Sequence, residues 1–427
     1  MSTPFGNARM IISSPATHSP ASRCGPPIAI RPARPAIAAF CLVTILTGLA
    51  RSLPAQDDDP ADPPSAEDCL QVAREFEELI QTGRSARATQ LIDWESIIAS
   101  ATSGYEETPQ LMSARRGFKS GFASRMRESG GLTAQIVATV EAGGGYRLLR
   151  MHEVDGNTRA LFRLLLPQGG GVNYHDLEFH RDQRGVVRIR DMHIALSGEF
   201  FSQTLRRAFL PLAAEVLGEE DIGQANSEYL GHLDELTSMA EATQAREFEK
   251  ALRIYAELPA SMQQDKNVLF LRLQASQNAN DEAYAETIAD FSKFHPDDLC
   301  IELLSINGYI LSGQHEQSLA AVNRIEQRIG GDLFLLVLRA GILFDAGSLD
   351  EAEQSAREAI ELEPTLENAY WQVISVSLEQ NDFATTAEML TLIEDRLGIE
   401  LADLTEVPEY AEFVKSAEFR KWIRERQ

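Results

Sequence analysis

The stretch Ala340–Pro364, AGILFDAGSLDEAEQSAREAIELEP, decides how the C-terminal half of this 427-residue chain folds. It reads as two antiparallel helices joined at Gly347. Glycine suits that turn because it takes positive φ without a steric cost. Ala352 and Ala359 fall where the helices cross closely, and a larger side chain there would push them apart. Pro364 stops the second helix. A hairpin of this kind cannot bury its apolar faces alone and has to stack on copies of itself.

Copies are present. About 34 residues earlier, Gly313 follows Tyr309 in INGYILSGQHEQSLAAV, and the same step forward reaches Asn381 in WQVISVSLEQNDFATTAEML. Asn is the usual substitute for Gly at a helix C-terminus. One step before Gly313 lies Ala279, beside NDEAYAETIADF, with Pro296 closing that unit. AREFEKALRIYAELP is a weaker first copy, its Ala251 and Tyr255 at second-helix positions. The spacing and these residues resemble the tetratricopeptide repeat. The resemblance implies five units over residues 232–401, with a peptide or helix of a partner held in a groove lined by first helices. Candidate groove residues are Asn307, Arg339, Tyr370 and Gln372. The copies depart from the pattern at Ser318, Gly330 and Tyr284, and an unrelated array of helical hairpins is the alternative. The tail YAEFVKSAEFRKWIRERQ reads as a final amphipathic helix within residues 401–427, burying Phe413, Phe419 and Trp422 as a cap.

Residues 1–55 have the order of a secretory leader: Arg31 and Arg34, the apolar run AIAAFCLVTILTGLA, then small residues before Gln56. The expectation is export to the periplasm or beyond, with an uncleaved anchor as the alternative. The run is shorter than the roughly 20 residues of an easy membrane span. Residues 56–66 read as an acidic, proline-rich linker. Cys69 and Cys300 remain after the leader, far apart, which is no disulfide framework.

Residues 67–218 read as an α+β unit: three helices, a sheet of about five antiparallel strands, and an exit helix. Apolar spacing marks helices around Leu70–Ile80, over Ser85–Ala99 and over Gln110–Glu128. The period then drops to two in LTAQIVATVE, GYRLLRMHEV, TRALFRLLLP, VNYHDLEFHR and VVRIRDMHIAL, separated by glycine-rich turns. Helices first and a meander after resembles the cone-shaped nuclear transport factor 2-like fold, and the exit helix resembles that of periplasmic phospholipid carriers. That resemblance implies a pocket, hence an alternative function as carrier of a small apolar ligand or lipid.

Asp191 and His193, two apart on one strand, are the candidate pair for acid–base chemistry, the basis of a second alternative as an isomerase or hydrolase. A metal reading would combine His152, His175 and His193, but no metal-ligand spacing appears, and no metal or cofactor is expected. Arg147, Arg163, Arg188 and Arg190, with Arg150 and Arg159, could form an anion-binding face.

Charge is split along the chain. Of 64 acidic and 39 basic residues, 41 and 16 lie in residues 219–427, leaving 23 of each sign before them. The net charge of −25 therefore belongs to the repeat half. Such a surface repels phosphate backbones and excludes nucleic acid as a natural partner, while favouring a basic protein or the Arg-rich sheet of the same chain. No P-loop, dinucleotide-binding glycine motif or nucleophile elbow is found. The leading expectation is a non-catalytic envelope protein that binds another protein through the acidic repeats.

Overall fold

The computed structural model describes residues 63–167, 171–218, 222, 224–296 and 298–426. The leader and most of the linker lie outside the described residues. Five antiparallel strands form one meander in the order β1 (Gly145–Val154), β2 (Asn157–Leu165), β3 (Val172–Arg181), β4 (Val187–Ile194) and β5 (Glu199–Phe200). Helices precede and follow this sheet, so the chain is mixed α and β.

Helix Ala66–Gln81 starts where Ser65 accepts a hydrogen bond from Asp68 N. It lays Ala73, Phe76, Leu79 and Ile80 on the first sheet face, where Phe76 meets Tyr146 and Phe162 edge-on and those two rings stack at 4.9 Å. Leu177, Phe179, Ile189 and Met192 complete this apolar core. Aliphatic side chains pack around the Phe76, Tyr146 and Phe162 rings in it.

Two of the expected elements differ. LTAQIVATVE is the helix Gly131–Glu141, not a strand. Its apolar residues alternate, but they also recur one turn apart, and Leu132, Thr133, Ile136 and Val137 are buried on one helical face. The fifth strand is the two-residue β5 instead. The expected helix Ser85–Ala99 is broken, because Ile92 runs extended to bridge Ile189 and Asp93 then caps a new helix, Trp94–Thr102.

After helix Phe201–Leu217 the described chain is helical. Consecutive helices pack in pairs: Leu233–Gln244 with Phe248–Glu257, Lys266–Ala279 with Asp281–Phe294, Leu299–Leu311 with His315–Ile329, Phe334–Asp345 with Leu349–Leu362, and Glu367–Glu379 with Phe383–Leu397. Four of the five turns are alike. Arg246, Gly313, Gly347 and Asn381 take φ of 62°, 68°, 78° and 57°. In each, the next amide reaches back five residues, as Gln314 N does to Tyr309 O and Ser348 N to Leu343 O. Five residues beyond each lies a fully buried residue: Ala251, Ser318, Ala352 or Thr386. The turn at Asn280 is a single extended residue, which accounts for the shifted position of Tyr284. The tail is shorter than expected as a helix: three 3-10 turns precede helix Ala417–Glu425, which Ser416 caps. Phe413 and Trp422 are buried and Phe419 is partly buried. Among the described residues no helix is long and apolar enough to cross a membrane.

Candidate functional site: the charged seam between sheet and helices

The second sheet face is built from the residues that alternate with the apolar ones, and it is rich in arginine. Arg147 and Arg163 are direct cross-strand partners, a pairing of like charges that is unfavourable by itself. The helical half supplies the compensation. Glu363 Oε1 accepts from Arg147 Nη1 at 2.5 Å and from Arg163 Nη2 at 2.6 Å. Asp332 accepts from Arg163 Nη1 at 2.6 Å and, through its other oxygen, from Tyr174 OH at 3.0 Å. Arg147 also donates to Thr365 Oγ1, and Arg150 donates to Gly331 O at 2.9 Å. Arg163 is 3 % exposed, with Phe334 facing its guanidinium. Burial pulls this guanidinium down, but Glu363 and Asp332 outweigh it and hold it above the ordinary arginine range.

The acceptors share one location. Gly331 and Asp332 precede helix Phe334–Asp345, and Glu363 and Thr365 precede helix Glu367–Glu379. Asp298, which caps helix Leu299–Leu311, pairs with Lys266, and Lys266 donates to Gly198 O in the turn before β5. Three successive connections between hairpins therefore meet the sheet. Gly330, one of the residues that depart from the repeat pattern, lies in the second of them, and a Cβ there would lie 2.8 Å from Arg150.

A second polar cluster continues along the same face. His152 Nε2 lies 2.7 Å from Asp176 Oδ1, and Arg159 pairs with both Asp176 and Glu178. The Arg159 guanidinium and the His193 ring both contact Phe200. The sequence pair Asp191 and His193 is not joined here. His193 is opposite Asp176, while Asp191 is opposite Glu178 and accepts from Met192 N and Ser202 N. Burial pushes the Asp191 carboxyl up to about 6 and pulls the His193 imidazole down.

The metal reading fails on geometry. His175 belongs with the apolar face, between Tyr146 OH and the Asn173 amide, where burial pulls it down to about 3. Among the described residues no group of three or more His, Cys, Asp or Glu could hold a metal ion.

Other candidates are redistributed. Arg188 pairs with Asp182 and donates to Gln90 O, and Arg190 is exposed at a bulge between its neighbours' partners. These two do not join Arg147 and Arg163 in one anion site. Among the groove residues, Tyr370 is fully buried, donating to Pro364 O, and Gln372 is 2 % exposed. Neither lines an open groove, because their helix is sandwiched between Leu349–Leu362 and Phe383–Leu397. Arg339 is partly exposed and donates to Asn323. The Asn307 side chain lies outside what is described. Sequence reasoning missed Tyr174, Asp332 and Glu363. The signal that could have found them was the Gly330–Gly331–Asp332 interruption of the repeat.

Comparison with family models, with curated proteins and with solved structures finds no match.

Proposed function

We propose that the chain is a non-catalytic binding protein of the cell envelope whose tetratricopeptide-like stack of hairpins, a solenoid, presents its acidic second helices to a basic protein partner. The sheet and its helices, in a cone-like arrangement, serve as the base on which the stack is mounted. The repeated turns at Arg246, Gly313, Gly347 and Asn381 support the repeat reading.

The observation that carries the function is the charge left over. The seam neutralises Asp332, Glu363 and Asp298, three of 41 acidic residues beyond position 218. Helix Leu349–Leu362 exposes Asp350 and Glu351 in its first turn and Glu358 and Glu361 in its last, beside Leu362, which is 57 % exposed. A line of exposed carboxylates ending at an exposed apolar residue suits a basic surface with one apolar contact. The buried Tyr370 and Gln372 argue against the first-helix groove as the binding surface, and the packed core under helix Ala66–Gln81 argues against a carrier pocket.

The test is site-specific photocrosslinking in intact cells, with the photoreactive residue at Gln354 or at the distant, sheet-side Gln135. The expected result is one recurrent protein adduct from Gln354 that is lost in Glu358→Lys/Glu361→Lys. Identical adducts from both sites, or none from Gln354, would overturn the reading.

A further inference from the structure

The seam has properties that a permanent core lacks. On the sheet side its fully buried apolar residues are Leu161, Val172, Tyr174 and Ala195, which join the cluster of Leu303, Ile306 and Phe334. Leu149, Leu165 and Leu196, partly buried, pack against the same cluster, and the other side chains of that face, Arg163, Asp176 and Glu178 among them, are charged or polar. Its polar contacts are made by long side chains reaching the turns between hairpins, while within the helical half the two helices of each hairpin pack on one another. Interfaces of this composition between parts of one chain behave like transient protein–protein contacts. Near the chain crossing the join is different: Leu210 of the exit helix shares an apolar cluster with Tyr229, Leu236 and Met239. One end is a greasy hinge and the far end is an ion-pair latch.

We propose that the helical half is held closed against the sheet by an Arg163 latch, and that opening about the exit helix uncovers the ends of the first helices as a regulated surface. The sheet face acts as an internal occupant of the helical half. This inference stands on the seam alone and holds whether or not the acidic second helices have an outside partner.

The latch works because Arg163 has two acceptors in a site closed to water. Removing them leaves a buried cation with no counter-charge, which disfavours the closed state far more than any exposed pair would. Opening relieves the penalty by returning Arg163 to water, at the expense of the apolar contacts that Leu161, Val172, Tyr174 and Ala195, with the partly buried Leu149, Leu165 and Leu196, make in that cluster.

The experiment is hydrogen exchange by mass spectrometry, with small-angle scattering, on the full chain and on Asp332→Asn/Glu363→Gln. Both substitutions keep shape and remove charge. Expected is exchange at least 100-fold faster in peptides covering Gly330–Leu336 and Glu363–Tyr370, with a larger radius of gyration and unchanged protection of Ala66–Gln81. Tyr174→Phe, which removes one hydrogen bond and leaves the ion pairs, is expected to move the same peptides in the same direction by about tenfold. Protection lost together on both sheet faces would show one cooperative unit and overturn the latch. Unchanged exchange in both variants would overturn it equally.

Discussion

The two faces of the sheet are held by different forces. The first is closed by Phe76, Tyr146 and Phe162 under helix Ala66–Gln81, with no charge inside the ring stack. The second is closed by Arg163, Asp332 and Glu363 under the turns of the helical half. Apolar burial is non-directional and roughly proportional to area, so the first face tolerates no gap. A buried ion pair gains little overall after desolvation but penalises loss of either partner heavily, so the second face is specific more than it is strong. The chain thus has a permanent side and a conditional side on one sheet.

The largest effect expected from breaking this comparison is Phe162→Ala, which should cost about 4 kcal/mol through lost burial and a cavity. Urea unfolding with far-UV circular dichroism would show it as a shifted midpoint for the whole sheet. On the conditional side, Glu363→Ala should cost about 3 kcal/mol by taking from the buried Arg163 one of its two carboxylate acceptors. Replacing Arg163, Asp332 and Glu363 together by apolar residues of similar volume should restore most of that loss. A triple variant as unstable as the single one would mean that the seam is ordinary packing.

Acid sharpens the contrast. His175 on the apolar face is pulled from 6.5 to about 3, so its neutral form is required by the fold. The unfolded chain takes up a proton below about pH 6.5 that the folded chain refuses, so stability from this group is lost as pH falls below that value. Asp191 on the seam side has the opposite sign. Its carboxyl is raised from 3.8 to about 6, so its burial is least costly when protonated, and stability falls as pH rises from about 4 to 6. The His175 shift is the larger, so the melting temperature should decline from pH 6.5 to 4. His175→Asn should flatten that decline, and Asp191→Asn should steepen it. A melting temperature that rises toward pH 4 in the unmodified chain would contradict the assignment. The smallest effect belongs to Arg147→Ala. Its side chain is 47 % exposed, and its pairing with Glu363 should contribute less than about 1 kcal/mol, with most of that screened in high salt.

How much of this was legible in the sequence depended on whether the cause was local. The turns at Gly313, Gly347 and Asn381 were readable because positive φ restricts residue choice. Arg246 holds the same conformation with a residue that gives no such signal. LTAQIVATVE fits a period of two and a period of 3.6 equally, and the choice was made by packing of Leu132 and Ile136 under the sheet. Asp191 and His193 were paired on sequence proximity, whereas the sheet register set His193 opposite Asp176. The groove failed for a related reason. Helical spacing identified a first-helix position for Tyr370 and Gln372, but not which side of that helix a neighbour would cover.

The sequence by itself determined four of the sheet's strands, the hairpin turns at Gly313, Gly347 and Asn381, and that one half of the chain carries all the excess negative charge. These follow from steric limits on φ and ψ, from periodicity and from composition, each readable within a few tens of residues. Only the tertiary structure decided that Arg163 meets Asp332 and Glu363, which lie 169 and 200 positions away. Pairing at that separation leaves no local trace, because a charged side chain looks the same in sequence whether it faces water or closes a seam.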